Sequence, residues 1–391
     1  MKLTLHMKKI ISYSLIALLL LSSCNKDIPA PVPNTFPTPT GQSIGELINT
    51  DANYTLLKHA LTRAGLLATV TSKNTTFTLF APDNAAFTAS GIASTAVIDA
   101  LPLATLTSIL NYHIIPGIKV TSANIPTTFP NVQMPTGLIF PAPNTSPLAR
   151  FSIFPSKRGS TVWANNIPVV MPDIAVANGV MHKVAVIVAP PTKLLLDTIK
   201  NDPDLDYFEA ALVRADQGLP TTAAPSFQYY LGNGTIAPGA NFTVFAPTNA
   251  AFQTIIFGLV YQATLAATND PATATAQANA AVAAGPAFLS TNAVTTEMVR
   301  GIVAYHIMPQ RAFGVNFSST ATNYPTFVNA SIAAHPGVAV SSTITGGFAT
   351  GLSVKGVGNA SAATAVATAA GVDRIAVNGV FYKINQVLLP Q

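Results

Sequence analysis

The sequence predicts a mixed helix-and-strand domain present in two copies. Three observations lead there. Four segments recur in the same order along the 391 residues. In each copy, apolar residues at helical spacing precede a β-rich run, and each copy closes on an Asn-Gly dipeptide flanked by alternating apolar residues. Ser43 to Leu66 pairs with Lys193 to Arg214 at an offset of 151, and Phe77 to Phe87 with Phe242 to Phe252 at 165. Tyr112-His113 pairs with Tyr305-His306 at 193, and Asn178 to Val184 with Asn378 to Ile384 at 200. The offset only grows, so the second copy is the first with insertions.

The N-terminus reads as an address. Met7-Lys8-Lys9 is a basic start, Ile10 to Leu21 is apolar, and Leu21-Ser22-Ser23-Cys24 follows. Residues 1–23 are therefore expected to be a secretory signal, too short to span a bilayer comfortably. Met7 can serve as the true start. The small residues ahead of Cys24 resemble the cleavage box of bacterial lipoproteins, which implies lipid on Cys24 as the first mature residue. Residues 24–42 hold prolines at 29, 31, 33, 37 and 39, predicting an extended tether. At about 3.1 Å per residue it would hold the first domain roughly 50 Å from the lipid. Asn25-Lys26-Asp27 weakly resembles the charged signals that send some lipoproteins to the cell surface.

Each copy then reads in order. Ile44, Leu47 and Ile48, then Leu56, Leu57, Ala60, Leu61 and Ala64, predict two short helices stopped at Gly65. Ser43 with Glu46 three residues on predicts a capping box. Phe77 to Phe80 is a strand ended by Ala81-Pro82, after which Asp83 caps a helix beginning at Asn84; Thr248 does the same in copy two. Asn178-Gly179 and Asn378-Gly379 predict type I′ hairpin turns. After the turn, alternation puts Val180, His182 and Val184 on one face, as it does Val380, Tyr382 and Ile384. The boundary is expected at Ala189-Pro190-Pro191, giving domains over 43–191 and 192–391. Two insertions distinguish copy two, one near Pro220 to Pro238 and one within 263–286. The second is rich in Ala, Thr, Asn and Gln and leaves two readings open, an added helix or a mobile loop.

Composition removes several function classes. Only 9% of residues are charged, against about 25% in an average soluble protein. Without Lys2, Lys8 and Lys9 of the leader, 17 Lys and Arg face 15 acids, a net +2 with no basic stripe to neutralise phosphates. No nucleic-acid partner is expected. Cys24 is the single cysteine, which excludes internal disulfides, four-thiolate zinc sites and iron–sulfur clusters.

At the three shared motifs the chain resembles the fasciclin family. Phe80-Ala81-Pro82-Asp83-Asn84 and Phe245-Ala246-Pro247-Thr248-Asn249 are similar to its first box. Tyr112-His113 and Tyr305-His306 are similar to its central motif. Asn178-Gly179 with His182, and Asn378-Gly379 with Tyr382, are similar to its second box. The fold this resemblance implies is α+β, two tandem domains, each a wedge-shaped β-sandwich with helices packed along one side. It also implies cell adhesion and matrix contact. In animal members a Pro-Asp-Ile motif before the second box is tied to integrin binding, and Pro172-Asp173-Ile174 occupies that place here. Asp173 has a simpler reading as a turn or strand-start residue.

The remaining candidates are weighed by chemistry. His113 and His306 sit among Ile109, Leu110 and Ile302, Val303, which points to buried imidazoles satisfied by hydrogen bonds rather than to catalysis. A metal on His113 and His182 lacks a third ligand, so no metal or cofactor is expected. Gly41-Gln42-Ser43-Ile44-Gly45 has the spacing of a nucleophile elbow without the preceding strand. Trp163, Phe151, Phe154 and Tyr229-Tyr230 are the candidate sugar platform. Three functions follow in order. The first is a non-enzymatic adhesion or ligand-binding lipoprotein at the outer membrane surface, bound to an extracellular protein or glycan. The second is a glycan-binding accessory of a nutrient-uptake system, and the third a hydrolase using His113 or Asp83.

Overall fold

The structure is a computed structural model and describes residues 39–140, 149–233, 241–291, 293–368 and 371–391. The signal, Cys24 and almost all of the tether lie outside them.

The first domain is built on one six-stranded sheet. Its strands are β1 (Phe77–Pro82), β2 (Ile114–Pro116), β5 (Pro155–Arg158), β6 (Thr161–Ala164), β7 (Ile167–Val176) and β8 (Gly179–Val184), in the order β2-β1-β8-β7-β6-β5. A separate pair, β3 (Met134–Ile139) and β4 (Arg150–Ile153), covers part of one face. β1 is buried along its whole length, which is why it reads as a continuous apolar run rather than an alternation. One face carries Leu79, Ala81 and Met181 against the helices Ile44–Thr50, Thr55–Arg63 and Leu103–His113. The other carries Phe80 and Val184, with Tyr112 from the end of the helix Leu103–His113, against Ile153 of β4.

The second domain repeats this plan with its strands divided between two sheets. β9 (Phe242–Pro247), β10 (Ile307–Met308), β15 (Arg374–Ala376) and β16 (Gly379–Ile384) run β10-β9-β16-β15. β11 (Thr322–Tyr324), β12 (Val338–Thr345), β13 (Phe348–Lys355) and β14 (Ala363–Thr364) form the facing sheet. The expected α+β architecture, helices along one side of packed sheets, is what both halves show.

Ser43 caps its helix as expected, with Glu46 completing the capping box. Asp83 and Thr248 likewise accept the amides of Ala86 and Ala251. The inserted stretch of copy two is a helical hairpin. Thr248 starts the helix Asn249–Thr268, Asn269 ends it at φ +50, and Asp270 with Pro271 starts Pro271–Ala283. Ala274, Ala278 and Ala281 are buried along the second helix, so small side chains let the pair pack closely. The first helix is long and apolar enough, by length and composition, to cross a membrane. Its N-terminal half is anchored in the domain core through Phe252 and Ile256.

The Asn-Gly turns differ from expectation. The two-residue turn in copy one is Ala177-Asn178, because Val176 pairs directly with Gly179. Asn178 is not at positive φ, while Gly179 is, at +146. The asparagine is instead a buried staple. Its Oδ1 accepts the Ile44 amide at 2.8 Å, and its Nδ2 donates to Val70 and Ser72 carbonyls, both at 2.8 Å. Asn378 does the same with Leu195, Tyr230 and Leu231. Gly179 is required by proximity, since a Cβ there would lie 1.8 Å from the Phe77 carbonyl oxygen. A hairpin turn with two successive residues at positive φ is found instead at Gly346-Gly347, between β12 and β13.

Asn178→Ala should therefore lower unfolding stability by about 3 kcal/mol or more, since it strands three buried main-chain groups. Urea denaturation checks this; a loss under about 1 kcal/mol, the size of a single net hydrogen bond, would contradict the staple.

Candidate functional site

The first box positions main chain. Asn84 accepts the Leu56 amide at 3.0 Å and donates to the Ala52 carbonyl at 2.9 Å, tying the start of one helix to the preceding segment. Asn249 repeats this with Tyr207 and Pro203. Asp83 also meets Lys183 Nζ at 2.5 Å. Where copy two has Thr248, Lys383 turns to Asp202 and Asp204 at 3.0 and 2.8 Å.

The Tyr-His motif is closed in the same way. Tyr112 Oη donates to the Ser152 carbonyl and accepts from Asn165. Tyr305 donates to the Gly337 carbonyl and accepts the Val357 amide. His113 Nε2 accepts the Val188 amide at 2.9 Å, so the proton is on Nδ1, which donates to the Ile109 carbonyl at 2.8 Å. His306 has the equivalent pair, Leu388 and Ile302, at 2.9 and 2.7 Å. Burial pushes both imidazoles down to about 4, against which their carbonyl bonds work. Neither ring has a nitrogen left for a metal or for a substrate proton.

The second box resolves the His/Tyr difference. His182 Nε2 donates to the Val120 carbonyl at 2.7 Å, while Nδ1 accepts the Asp173 amide at 3.2 Å. Tyr382 Oη lies 2.9 Å from the carbonyl of Ala312, the residue equivalent to Val120, and 2.7 Å from Asp373 Oδ1. Two side chains of different chemistry hold the same loop, which Thr78 and Thr243 also clamp through Val120 and Ala312. A role shared by imidazole and phenol is structural.

Asp173 is neither a turn nor a strand-start residue. It lies inside β7 at φ +62, in an irregular stretch between Met171 and Ile174 where the pairing with β8 shifts register. Its carboxylate accepts the Ser122 amide at 2.7 Å and the Ser122 hydroxyl. Partial burial opposes ionisation, but these bonds, with His182 and Lys157 nearby, hold it below the usual carboxylate range. Asp373 makes the equivalent bond to the Gly314 amide at 2.7 Å. There burial dominates and raises the carboxyl, despite bonds from Tyr382, Gly314 and Asn166. Pro172 and Asp173 are exposed and Ile174 is half-buried, so the expected adhesion motif is accessible while its acid is engaged internally.

The candidate sugar platform is dismantled by a seam between the domains. Trp163 is 3% exposed and, with Phe154, belongs to the core cluster of the second domain, beside Phe313, Phe317 and Tyr382. Its Nε1 donates 2.7 Å to the carbonyl of Gly347, whose missing Cβ makes room for Pro168. Phe151 stacks on Phe140, and Tyr229 and Tyr230 are half-buried. Sequence reasoning missed the polar half of this seam. Arg311 is buried, its guanidinium 4.4 Å over Phe154 and bonded to Asn241 Oδ1 and the Ala376 and Val377 carbonyls. Burial lowers it to about 10. Arg158 crosses from the first domain to the Val315 and Phe317 carbonyls. A signal was present: Lys119, the equivalent of Arg311, is exposed, and lysine to arginine at a repeated position marks a changed environment.

Among the described residues no group of three or more His, Cys, Asp or Glu side chains converges on a metal-sized site. The fasciclin domain model matches residues 52–190 and 228–390. Among solved structures, the FAS1 domain pair of the insect cell adhesion molecule fasciclin I is similar at 17% identity and a TM-score of 0.31, covering 88% of this chain and 95% of that one. No curated protein matches.

Two outcomes follow from this geometry. His113 and His306 titrate near 6.5 when unfolded and near 4 when folded, so their stabilisation is whole above pH 6.5 and is lost as pH falls toward 4. Each contributes about 3 kcal/mol across that window, with Asp373 acting in the opposite sense. Urea midpoints from pH 7.5 to 4.5 should fall, and a flat profile would refute the assignment. Trp163→Ala should cost about 3–5 kcal/mol of unfolding stability, as a core truncation does. A variant as stable as the parent would return Trp163 to the surface.

Proposed function

The chain belongs to the fasciclin domain family, and from that membership we propose a non-enzymatic adhesion or ligand-binding lipoprotein of the cell envelope. One observation supports it above the others. The polar side chains of the shared motifs are engaged by main chain, by one another or by neighbouring side chains. The histidines that would serve a hydrolase have both ring nitrogens occupied in each domain. Chemistry of that kind needs a free lone pair poised near neutral pH. Recognition of an extracellular protein or glycan then falls to the outer surface and to the seam, where the copies differ.

In this reading lipid on Cys24 holds the protein at the outer membrane and residues 25–42 space it from the surface. Both domains act as one body, because Phe154 and Trp163 of the first complete the core of the second. Contacts from either domain then add at a single anchor.

Protease treatment of intact cells should remove the fragment beyond Pro191 while a periplasmic control survives, and Cys24→Ser should move the protein from membrane to soluble fractions. Cells lacking the chain should adhere less to matrix-coated or polysaccharide-coated surfaces, with recovery on complementation. Protection from protease until the outer membrane is broken would overturn the surface assignment, and unchanged adhesion would overturn the function.

A further inference from the structure

Where β5 meets the second domain, a small cleft of about 60 Å³ opens between the segment 126–131, the Ser156–Arg158 stretch, Trp163 and Val315-Asn316. Four features of it concern charge. Among the described residues that line it none is acidic, and of the two basic ones Arg158 shares the face of Ser156. Ser156 is 4% exposed and its hydroxyl has no hydrogen-bond partner among the described residues, an arrangement that costs about 1–3 kcal/mol unless something occupies it. Arg158 uses only Nη2 on the Val315 and Phe317 carbonyls, which leaves Nη1 and Nε as donors, and it forms no ion pair among the described residues. Asn316 has its Oδ1 filled by the Phe313 amide and by Asn131 Nδ2 at 2.8 and 2.7 Å, so its own amide protons are what it can offer.

We propose that this interdomain cleft binds a single anionic group, a carboxylate or sulfate, with Ser156, Arg158 and Asn316 as donors. The alternation of β5 places Ser156 and Arg158 on the face toward the second domain, and Trp163, paired opposite Ser156, lies on that face too. Lys157 points the other way, to the Ser122 carbonyl, and adds its charge from behind. The volume suits one anionic group and not a sugar ring, since pockets that enclose small molecules run to about 300 Å³ and more. Such a group can come from a free anion or from an acidic polysaccharide whose chain lies outside the cleft. The site exists only because the domains are docked, as Asn316 and Arg158 belong to different copies. It rests on the ligand-binding reading above and names the chemistry of that ligand.

Ser156→Ala is the decisive variant, because the hydroxyl has no protein partner to lose. Titrations of the full chain with sodium sulfate, and separately with oligogalacturonate against neutral dextran at matched ionic strength, should saturate for the parent. Ser156→Ala should be at least as stable as the parent in chloride buffer, since it removes a buried hydroxyl without a partner, and should weaken anion binding about tenfold, the usual effect of one lost bond to a charged group. Arg158→Gln should weaken it further. Oligogalacturonate that binds and is displaced by sulfate identifies a polysaccharide acid; sulfate binding without oligogalacturonate binding identifies a free anion, and both support the site. Saturation by neither, or equal binding by Ser156→Ala, would overturn it. Cell adhesion that survives in Ser156→Ala would leave the adhesion reading standing while the cleft fails.

Discussion

In each domain the first strand of the repeat pairs in parallel with the last, β1 with β8 and β9 with β16. These pairings join segments more than a hundred residues apart, so they close the whole domain and are entropically demanding. The close approach excludes a side chain at Gly179 and Gly379, where a Cβ would meet the carbonyl of Phe77 or Phe242. The preceding asparagine then bonds to main chain of two helical segments that the strand pair has brought within reach. His113 and His306 complete the closure by accepting amides from the segment just beyond the last strand. The three repeated motifs are therefore parts of one device, and their polar atoms are engaged in holding main chain.

That engagement explains which features could be read in advance. Helical spacing, caps at Ser43, Asp83 and Thr248, and the inward face of His182 and Tyr382 are local consequences of residue type, and all appear as expected. Asn178-Gly179 misled because two demands favour the same dipeptide. A type I′ turn wants positive φ at both residues, and a parallel strand in close contact wants a bare Cα beside a long-range hydrogen-bonding amide. Sequence alone does not distinguish them, since the discriminating partners, Ile44 and Val70, lie more than a hundred residues away. The inserted helices were ambiguous for a different reason. Nearly uncharged and alanine-rich, they show no strong apolar stripe, and only packing against each other reveals a face.

The seam lay furthest from view. Trp163 and Phe154 have no partners within their own repeat that mark them as buried, and an isolated aromatic carries no periodicity. Their burial depends on a second copy whose β12–β13 turn is two glycines, small enough to sit on Pro168 and present a carbonyl to the indole. Arg311 replaces an exposed lysine at the same place and pays for its desolvation with three hydrogen bonds and an aromatic face. Planar arginine can satisfy several carbonyls at once where a lysine ammonium cannot.

Duplication sets up a division between what must stay and what can change. Positions that hold each domain closed tolerate only substitutions that keep a donor aimed at the same carbonyl, as imidazole and phenol do toward Val120 and Ala312. Among the positions that differ in environment between copies, Lys119 and Arg311, and Asp173 and Asp373, do so because the second of each pair lies at the seam. The docked pair also sets cations against main chain, since Arg158 and the buried Arg311 both reach carbonyl oxygens across or beside the seam. Structural divergence between the copies is thus marked where they meet, because that contact is an environment a single domain does not contain.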